Sequence, residues 1–249
     1  METATDDLEL TLRKAADAAR ARPSRVTSNE AVRPPRLIPR RLFTDAVSQL
    51  FHAERATERM CRLMTGQTGT PIADQLLGYQ ASDERHHADL YESYLLRIGD
   101  IRPQDSQIAD SLDMLLDTSL VQEAVFAGYN VVLEGEAVKL QQDTIERFTC
   151  PALVRITRAI SWDEARHVSF GHAYLADRLP KLEQGHRFEI YRHIKRCWEV
   201  AAAAPRDDTG AFGKILTRKR AEYMNARWHQ HHRALTKIGL ILPGELPPT

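Results

Sequence analysis

The 249-residue sequence lacks three features, and each absence excludes a class of protein. No apolar run reaches about 18 residues, the length that a transmembrane helix needs, so we predict no membrane span. The three cysteines form no C-x-x-C pair, which argues against a disulfide framework and favours a cytoplasmic protein. Lys plus Arg and Asp plus Glu both total 34, so no charge excess predicts binding to nucleic acid or a membrane surface.

Both ends of the chain contain residues that break helices. The basic stretch from Arg20 to Arg41 carries four prolines, and the last nine residues carry three. We therefore predict an irregular, solvated basic arm over residues 1–40 and an irregular tail over 241–249.

The rest of the sequence is helical in pattern, with no segment of strand-like alternation. From Leu42 onward, apolar residues recur three and four positions apart in long segments rich in Ala, Leu, Glu and Arg. This pattern predicts one helical domain over 41–240, with six helices near 41–65, 72–98, 117–148, 151–178, 184–203 and 211–238.

The connections between these helices predict a four-helix bundle. Short turns join the first two helices and the next two, whereas a polar crossover over 99–116 joins the two pairs. Two hairpins linked by a long crossover are typical of four-helix bundles. We therefore predict an all-α four-helix bundle with two additional C-terminal helices.

Two Glu-x-x-His motifs lie on the predicted helices. The second helix contains Glu84-Arg-His-His87, and the fourth contains Glu164-Ala-Arg-His167. Residues three apart share one face of a helix, so each Glu and His can reach the same metal ion.

Each motif has a further glutamate 30 residues upstream, Glu54 for Glu84 and Glu134 for Glu164. The two sets are offset by 80 residues throughout. The midpoint of each pair falls in the predicted turn, so folding the hairpin brings its two glutamates to equal depth. Four carboxylates and two imidazoles should therefore meet in one layer of the bundle.

Such a layer predicts two metal ions. Four ionised carboxylates in an apolar bundle would suffer large costs of desolvation and mutual repulsion, and two divalent cations cancel their charge. Mixed carboxylate and imidazole ligands favour iron or manganese over zinc. We predict two iron ions, with manganese as the alternative.

Two neighbouring glutamates compete for these positions, Glu58 with Glu54 and Glu136 with Glu134. The 80-residue repeat favours Glu54 and Glu134, because Glu58 would pair with Val138 and Glu136 with Ala56. A third Glu-x-x-His match begins at Glu183, but it has no glutamate 30 residues earlier and is interpreted as chance.

The motifs resemble those of the di-iron carboxylate branch of the ferritin-like superfamily. The segment Asp163-Glu-Ala-Arg-His-Val-Ser-Phe-Gly171 is especially similar to the last ligand helix of ribonucleotide reductase small subunits and related ligand-binding oxidases. The resemblance covers about residues 42–180. It implies that Asp163 orients His87 and that Asp83 orients His167. It also suggests a radical role for Tyr91, one turn after His87, although packing in the core is the simpler interpretation.

Other residues near the ligands allow two readings each. Trp162 and Tyr129 either move electrons or pack, and the small residues Ala127 and Gly128 leave room for a substrate or permit close helix packing. The histidines near the end of the last helix, His229, His231 and His232, are expected on a solvated helix face.

The resemblance implies an O₂-dependent oxidase or oxygenase that hydroxylates, desaturates or N-oxygenates a small organic substrate. Its partners would be that substrate and an external electron donor, and a homodimer is compatible with this reading. The alternatives are a ferroxidase or iron-storage protein and a radical-generating subunit of a larger enzyme.

Overall fold

The computed structural model describes residues 4–18, 30–36, 38–117, 121–147, 149–203 and 211–246. Every regular element in these ranges is helical, as the sequence predicts. None of these helices is both long enough and apolar enough to cross a membrane. The helices are α1 (Ala4–Ala18), α2 (Arg40–Met64), α3 (Pro71–Ile98), α4 (Ser106–Leu115), α5 (Gln122–Phe126), a π-helix (Ala127–Leu133), α6 (Glu134–Arg147), α7 (Pro151–Ala176), a 3₁₀ turn (Leu179–Lys181), α8 (Gln184–Ala202) and α9 (Ala211–Lys237).

Helices α2 and α3 pack against each other as a hairpin. The turn between them uses Gly66 at φ 85° and Gly69 at φ 72°, the left-handed region that favours glycine. The Asp74 carboxylate closes this turn, accepting hydrogen bonds from the Gly66 amide at 2.8 Å and the Thr68 hydroxyl at 2.9 Å. The turn thus sets the depth at which residues of α2 and α3 face each other.

The third predicted helix begins later than expected and is not uniform. Helices α5 and α6 are joined without a break by the π-helix Ala127–Leu133, which ends directly before Glu134. A π-helical turn widens the helix and occurs often at functional sites. The predicted start at residue 117 is therefore wrong by five residues, since α5 begins at Gln122.

The predicted polar crossover over 99–116 is wrong in part, because it contains α4. Asp105 caps this helix by accepting from the amides of Gln107 and Ile108 at 3.0 and 3.1 Å. The buried residues of α4 include Ser111 and Leu112, which form part of one helix face.

The predicted irregular arm over 1–40 is wrong for residues 4–18, which form α1. Its buried side chains are Leu8, Thr11 and Ala15, spaced three and four apart, and the helix packs on α3. All prolines of the arm lie beyond α1, so none interrupts it. The predicted basic segment falls mostly on residues outside the described ranges.

The chain groups into two compact units. One comprises Met1–Gln104 and Leu133–Phe170, and the other comprises Asp105–Val132 and Gly171–Thr249. All predicted metal ligands belong to the first unit. The prediction of one domain over 41–240 stays a prediction.

The second unit contains the two additional C-terminal helices. Helices α8 and α9 each end one residue before the predicted end of the helix. The prediction of a solvated histidine face is correct for His229, which is exposed, and wrong for His231. The His231 ring is buried with its centroid 4.5 Å from that of Trp198, because α9 turns this face toward α8.

Candidate metal centre

Six side chains from four helices meet in the first unit, and they are the six predicted ligands. None of them is more than 6% exposed. They form two overlapping groups of potential ligands, and within each group the donor atoms lie within 4.8 Å of one another. Both groups contain Glu84 and Glu164; the first adds Glu54 and His87, and the second adds Glu134 and His167.

Helical periodicity explains why these side chains share one buried layer. On α3, Gln80, Glu84, His87 and Tyr91 are spaced by four, three and four residues and are all buried. Such residues stack along one face of a helix. The ligands thus lie on the same face that carries the apolar core of the hairpin.

His87 presents its Nδ1 atom to the first group. This nitrogen lies 3.4 Å from Glu54 Oε2, 3.3 Å from Glu84 Oε2 and 3.4 Å from Glu164 Oε1. Both His87 Nδ1 and Glu84 Oε2 are buried atoms without a hydrogen-bond partner among the described residues.

His167 presents its Nδ1 atom to the second group in the same manner. The nitrogen lies 3.0 Å from Glu84 Oε1, 3.0 Å from Glu164 Oε2 and 3.8 Å from Glu134 Oε1. Glu84 and Glu164 thus each direct one carboxylate oxygen to His87 and the other to His167. The two imidazole centroids are 6.1 Å apart. A carboxylate in this position is suited to bridge two metal ions.

These distances fit metal ions held between the side chains. Two donors at right angles around an ion, each about 2.1 Å from it, lie roughly 3.0 Å apart. The observed separations of 3.0 to 3.8 Å correspond to such neighbouring positions. Burying a polar atom without a hydrogen bond, as at His87 Nδ1 and Glu84 Oε2, costs free energy of folding. A cation at each group would provide these atoms with a partner.

Two aspartates hold the outer nitrogens of the histidines. Asp163 Oδ2 lies 3.1 Å from His87 Nε2, and Asp83 Oδ2 lies 3.4 Å from His167 Nε2. Arg166 joins the two pairs, since its Nη2 atom is 2.7 Å from Asp83 Oδ2 and 2.8 Å from Asp163 Oδ1. The aspartates therefore orient each imidazole so that Nδ1 faces the ligand groups.

Burial and mutual repulsion divide the four carboxyls into two protonation classes. Burial raises the pKa of Glu54 and of Glu134, and in both the negative charge of Glu164 adds to the rise. Burial also acts on Glu84 and Glu164, but their histidine contacts outweigh it and lower their pKa. Burial therefore favours the protonated form of Glu54 and Glu134, whereas the histidine contacts favour the ionised form of Glu84 and Glu164.

The two imidazoles take the opposite charge. Burial by itself lowers the pKa of a histidine, but the nearby carboxylates of Asp163 and Glu164 favour the protonated ring and raise the pKa of His87 well above its usual range. The charge of Glu84 and the hydrogen bond of Asp83 do the same for His167. The surrounding carboxylates thus favour the positively charged form of both imidazoles, as they would favour a cation in the cluster.

The competing glutamates lie outside both groups. Glu58 points away from the cluster and accepts hydrogen bonds from Arg55, Arg62 and Arg85. Glu136 is buried on α6 but is in neither group of potential ligands. The structure brings Glu54 and Glu134 to the cluster, as the 80-residue repeat favours.

Two glutamines that the sequence analysis missed also contact the ligands. Gln80 Nε2 donates to Glu134 Oε1 at 3.0 Å and to Glu84 Oε1 at 3.2 Å, and Gln141 Nε2 donates to Glu164 Oε1 at 3.4 Å. Their spacing could have revealed them, because Gln80 lies four residues before Glu84 and Gln141 seven residues after Glu134.

Tyr91 is fully buried beside the first group. Its hydroxyl makes no hydrogen bond to a described residue. Burial raises the pKa of Tyr91 well above its usual range, and the charges of Glu54 and Glu164 raise it further, while Gln141 is near enough to offset part of the rise. The hydroxyl is thus kept neutral close to the ligands.

The other flanking aromatic residues lie in different surroundings. Trp162 is 75% exposed, whereas Tyr129 is buried and donates its hydroxyl to the Leu112 carbonyl at 3.0 Å. A Cβ atom added to Gly128 would lie 2.5 Å from Leu115 Cδ2. Gly128 therefore permits close helix packing, which is one of the two alternatives that the sequence left open.

Comparisons with known proteins establish the fold. No protein-family model and no curated protein sequence matches this chain. Among solved structures, a mutant R2-like ligand-binding oxidase with an anaerobically reconstituted Mn/Fe cofactor aligns at TM-score 0.63 and 12% identity, over 94% of this chain and 93% of that one. An R2-like ligand-binding oxidase from Sulfolobus acidocaldarius aligns at TM-score 0.56 and 17% identity, over 94% and 91%. The predicted ferritin-like helical fold is confirmed.

Proposed function

We propose that this protein binds two transition-metal ions, iron with iron or manganese with iron, and uses O₂ to oxidise a small organic substrate. The observation that carries the proposal is the pair of buried ligand groups that share Glu84 and Glu164. A mixture of carboxylates and imidazoles favours iron or manganese. The Mn/Fe cofactor of a solved oxidase with the same fold supports this choice.

Each ligand has a distinct role in this proposal. Glu84 and Glu164, which belong to both groups, would hold both ions, while Glu54 with His87 and Glu134 with His167 would complete the two sites. The bound metal pair would supply redox chemistry with O₂. The residues around the ligands keep their geometry, because the aspartates hold the imidazoles and the glutamines hold the carboxylates.

Burial of the cluster also serves an oxidase. A dry site strengthens electrostatic interactions and limits side reactions with water. Hydroxylation, desaturation and N-oxygenation are the three reactions we propose for testing, each with an external electron donor. Small organic compounds from these three classes form the substrate panel.

The first test compares Glu54→Gln with Glu58→Gln. Both residues are buried glutamates on α2, one turn apart, but only Glu54 belongs to a ligand group. The protein is loaded with ferrous iron without oxygen, the bound metal is counted by elemental analysis, and O₂ consumption is then recorded. We expect two metals per chain in the wild type and in Glu58→Gln, and fewer in Glu54→Gln.

A second experiment separates the oxidase from an iron-storage protein. Excess ferrous iron is added under air, and the size of the assembly is followed by light scattering. A cage-sized particle that accumulates many irons per chain would establish iron storage instead. A small particle that stops at two metals and consumes O₂ faster with one of the tested substrates supports the oxidase.

A further inference from the structure

We infer that the outer face of the α2–α3 hairpin binds a small oxyanion, that is, a carboxylate or phosphate group. This face contains a cavity of about 370 Å³, lined by Arg62, Thr65, Gly78, Ala81, Ser82 and Arg85. None of the metal-ligand candidates lines it. The inference therefore does not depend on the proposed function.

The charges around the cavity favour an anion. Three arginines converge on the single carboxylate of Glu58: Arg55 at 2.7 Å, Arg62 at 2.8 Å and Arg85 at 3.0 Å. Of these three, Arg62 and Arg85 line the cavity, so two guanidinium groups against one carboxylate leave one positive charge in excess there. Burial raises the pKa of Glu58, but the hydrogen bonds from Arg62 and Arg85 outweigh this and lower it, so the carboxylate stays ionised.

The arginines are held in place yet keep donors for a ligand. Glu58 is buried, whereas the side chains of Arg62 and Arg85 are 52% and 58% exposed. Arg85 donates to Glu58 through Nε, which leaves both of its terminal nitrogens unused among the described residues. Two parallel N–H groups match the two oxygens of a carboxylate or phosphate.

The remaining lining residues complete an anion site of small size. Ser82, one turn before Arg85 on α3, is exposed and adds a hydroxyl donor. A Cβ atom added to Gly78, one turn earlier again, would meet nothing within 4 Å, so this glycine contributes open space. The cavity volume falls within the range typical of small-molecule sites, roughly 300 to 1,000 Å³.

Isothermal titration calorimetry on the full chain tests the inference. Inorganic phosphate and acetate are titrated separately at constant ionic strength, with chloride as the reference anion. We expect saturable binding of phosphate or acetate, and the tighter of the two identifies the ligand group. In Arg85→Gln the affinity should fall by about tenfold or more, the size expected for a lost charge-assisted hydrogen bond.

Arg55→Gln is the matched control, because Arg55 also contacts Glu58 but does not line the cavity. Its affinity should stay close to that of the wild type. Gly78→Leu, which fills the cavity from an exposed helix position, should abolish binding without unfolding the protein. The inference is overturned if neither anion saturates, if both arginine variants lose affinity equally, or if Gly78→Leu binds normally.

Discussion

The two halves of the candidate metal centre contain the same residue types but differ in their surroundings. The α2–α3 half contributes Glu54, Glu84 and His87. The α6–α7 half contributes the same residue types 80 positions later, namely Glu134, Glu164 and His167. In both halves the aspartate before the Glu-x-x-His motif reaches the histidine of the opposite half. The repeat thus places the proposed ligands together and orients their imidazoles.

The differences lie at positions that the repeat does not preserve. Arg166 corresponds to His86, so one arginine contacts both aspartates and no second arginine matches it. Tyr91 corresponds to Gly171, which places a phenol beside the first group alone. Only the second half has a π-helix before its upstream glutamate. The two metal positions are therefore expected to differ in affinity and reactivity, despite equivalent ligands.

The largest effect should come from removing a shared ligand. Glu84→Ala deletes a carboxylate that belongs to both groups, so we expect loss of both metals and of O₂ consumption. Glu134→Ala touches one group and should leave about one metal per chain. Elemental analysis after anaerobic loading measures both. Two metals retained in Glu84→Ala would show that the ligand assignment is wrong.

Metal binding should release protons and strengthen steeply with pH. The pKa values of Glu54, Glu134, His87 and His167 are all raised, which favours bound protons at these side chains in the absence of metal. Each bound proton must leave for metal to bind, so the affinity should rise with pH by up to about one decade per pH unit for each proton released.

Calorimetry in buffers of different ionisation enthalpy counts the released protons. Glu54→Gln has no carboxyl proton at this position. It should therefore release one proton fewer than the wild type when a metal ion binds beside it. Proton release near zero in the wild type would contradict the protonation scheme. This experiment compares the halves directly, because Glu134→Gln should give the matching decrease.

The aspartates should have effects of intermediate size. Asp163→Asn weakens the hold on His87, and Asp83→Asn weakens the hold on His167, so each should lower metal affinity by about 10- to 100-fold at one position. Arg166→Met should affect both positions, because Arg166 contacts both aspartates. Metal titrations measure the affinity at each position. If each aspartate variant lowers the affinity for both ions equally, the assignment of one aspartate to one metal position is wrong.

The sequence predicted the repeated part of the site, and non-repeated features escaped it. Periodicity and the equal spacing of glutamates place Glu54 and Glu134 at the cluster, because antiparallel helices of equal length bring equal depths together. Gln80 escaped because the matching position is Ile160, so symmetry gave no signal. The π-helix also escaped, since hydrophobic spacing does not distinguish it from an α-helix.

The helices outside the bundle were harder to predict for a different reason. Helix α1 was assigned to the proline-rich arm by its neighbourhood, although its own residues favour a helix. Helix α4 is short and depends on the Asp105 cap and on burial of one face. Its packing on α8, far along the chain, is a tertiary contact that a local pattern does not contain.

A smaller effect, on stability, is expected from changing Glu58, which three arginines contact on the α2–α3 half. Glu58 has Val138 as its counterpart, and arginine contacts lower its pKa although burial alone would raise it. A lowered pKa contributes stability above the unfolded value of about 4.3 and loses it as pH falls through the folded value. Glu58→Gln should therefore be less stable than the wild type at pH 7, and this difference should shrink below about pH 4. Urea unfolding at both pH values measures it; a constant difference would contradict it.

The smallest effect on stability should come from Tyr91→Phe. The Tyr91 hydroxyl is buried without a hydrogen-bond partner among the described residues, so its removal relieves a desolvation cost. The free energy of unfolding should be unchanged or rise by up to about 1 kcal/mol, and two metals should still bind.

The same variant decides whether the asymmetry at Tyr91 is chemical or only structural. A phenol kept neutral beside Glu54 and Glu164 is well placed to lose a hydrogen atom, whereas Gly171, its counterpart, has no side chain to oxidise. We expect an organic radical signal in electron paramagnetic resonance after the loaded wild type meets O₂, and its absence in Tyr91→Phe. If the wild type gives no such signal, Tyr91 serves packing alone. If the signal persists in Tyr91→Phe, another residue carries it, with buried Tyr94 on the same helix the next to substitute.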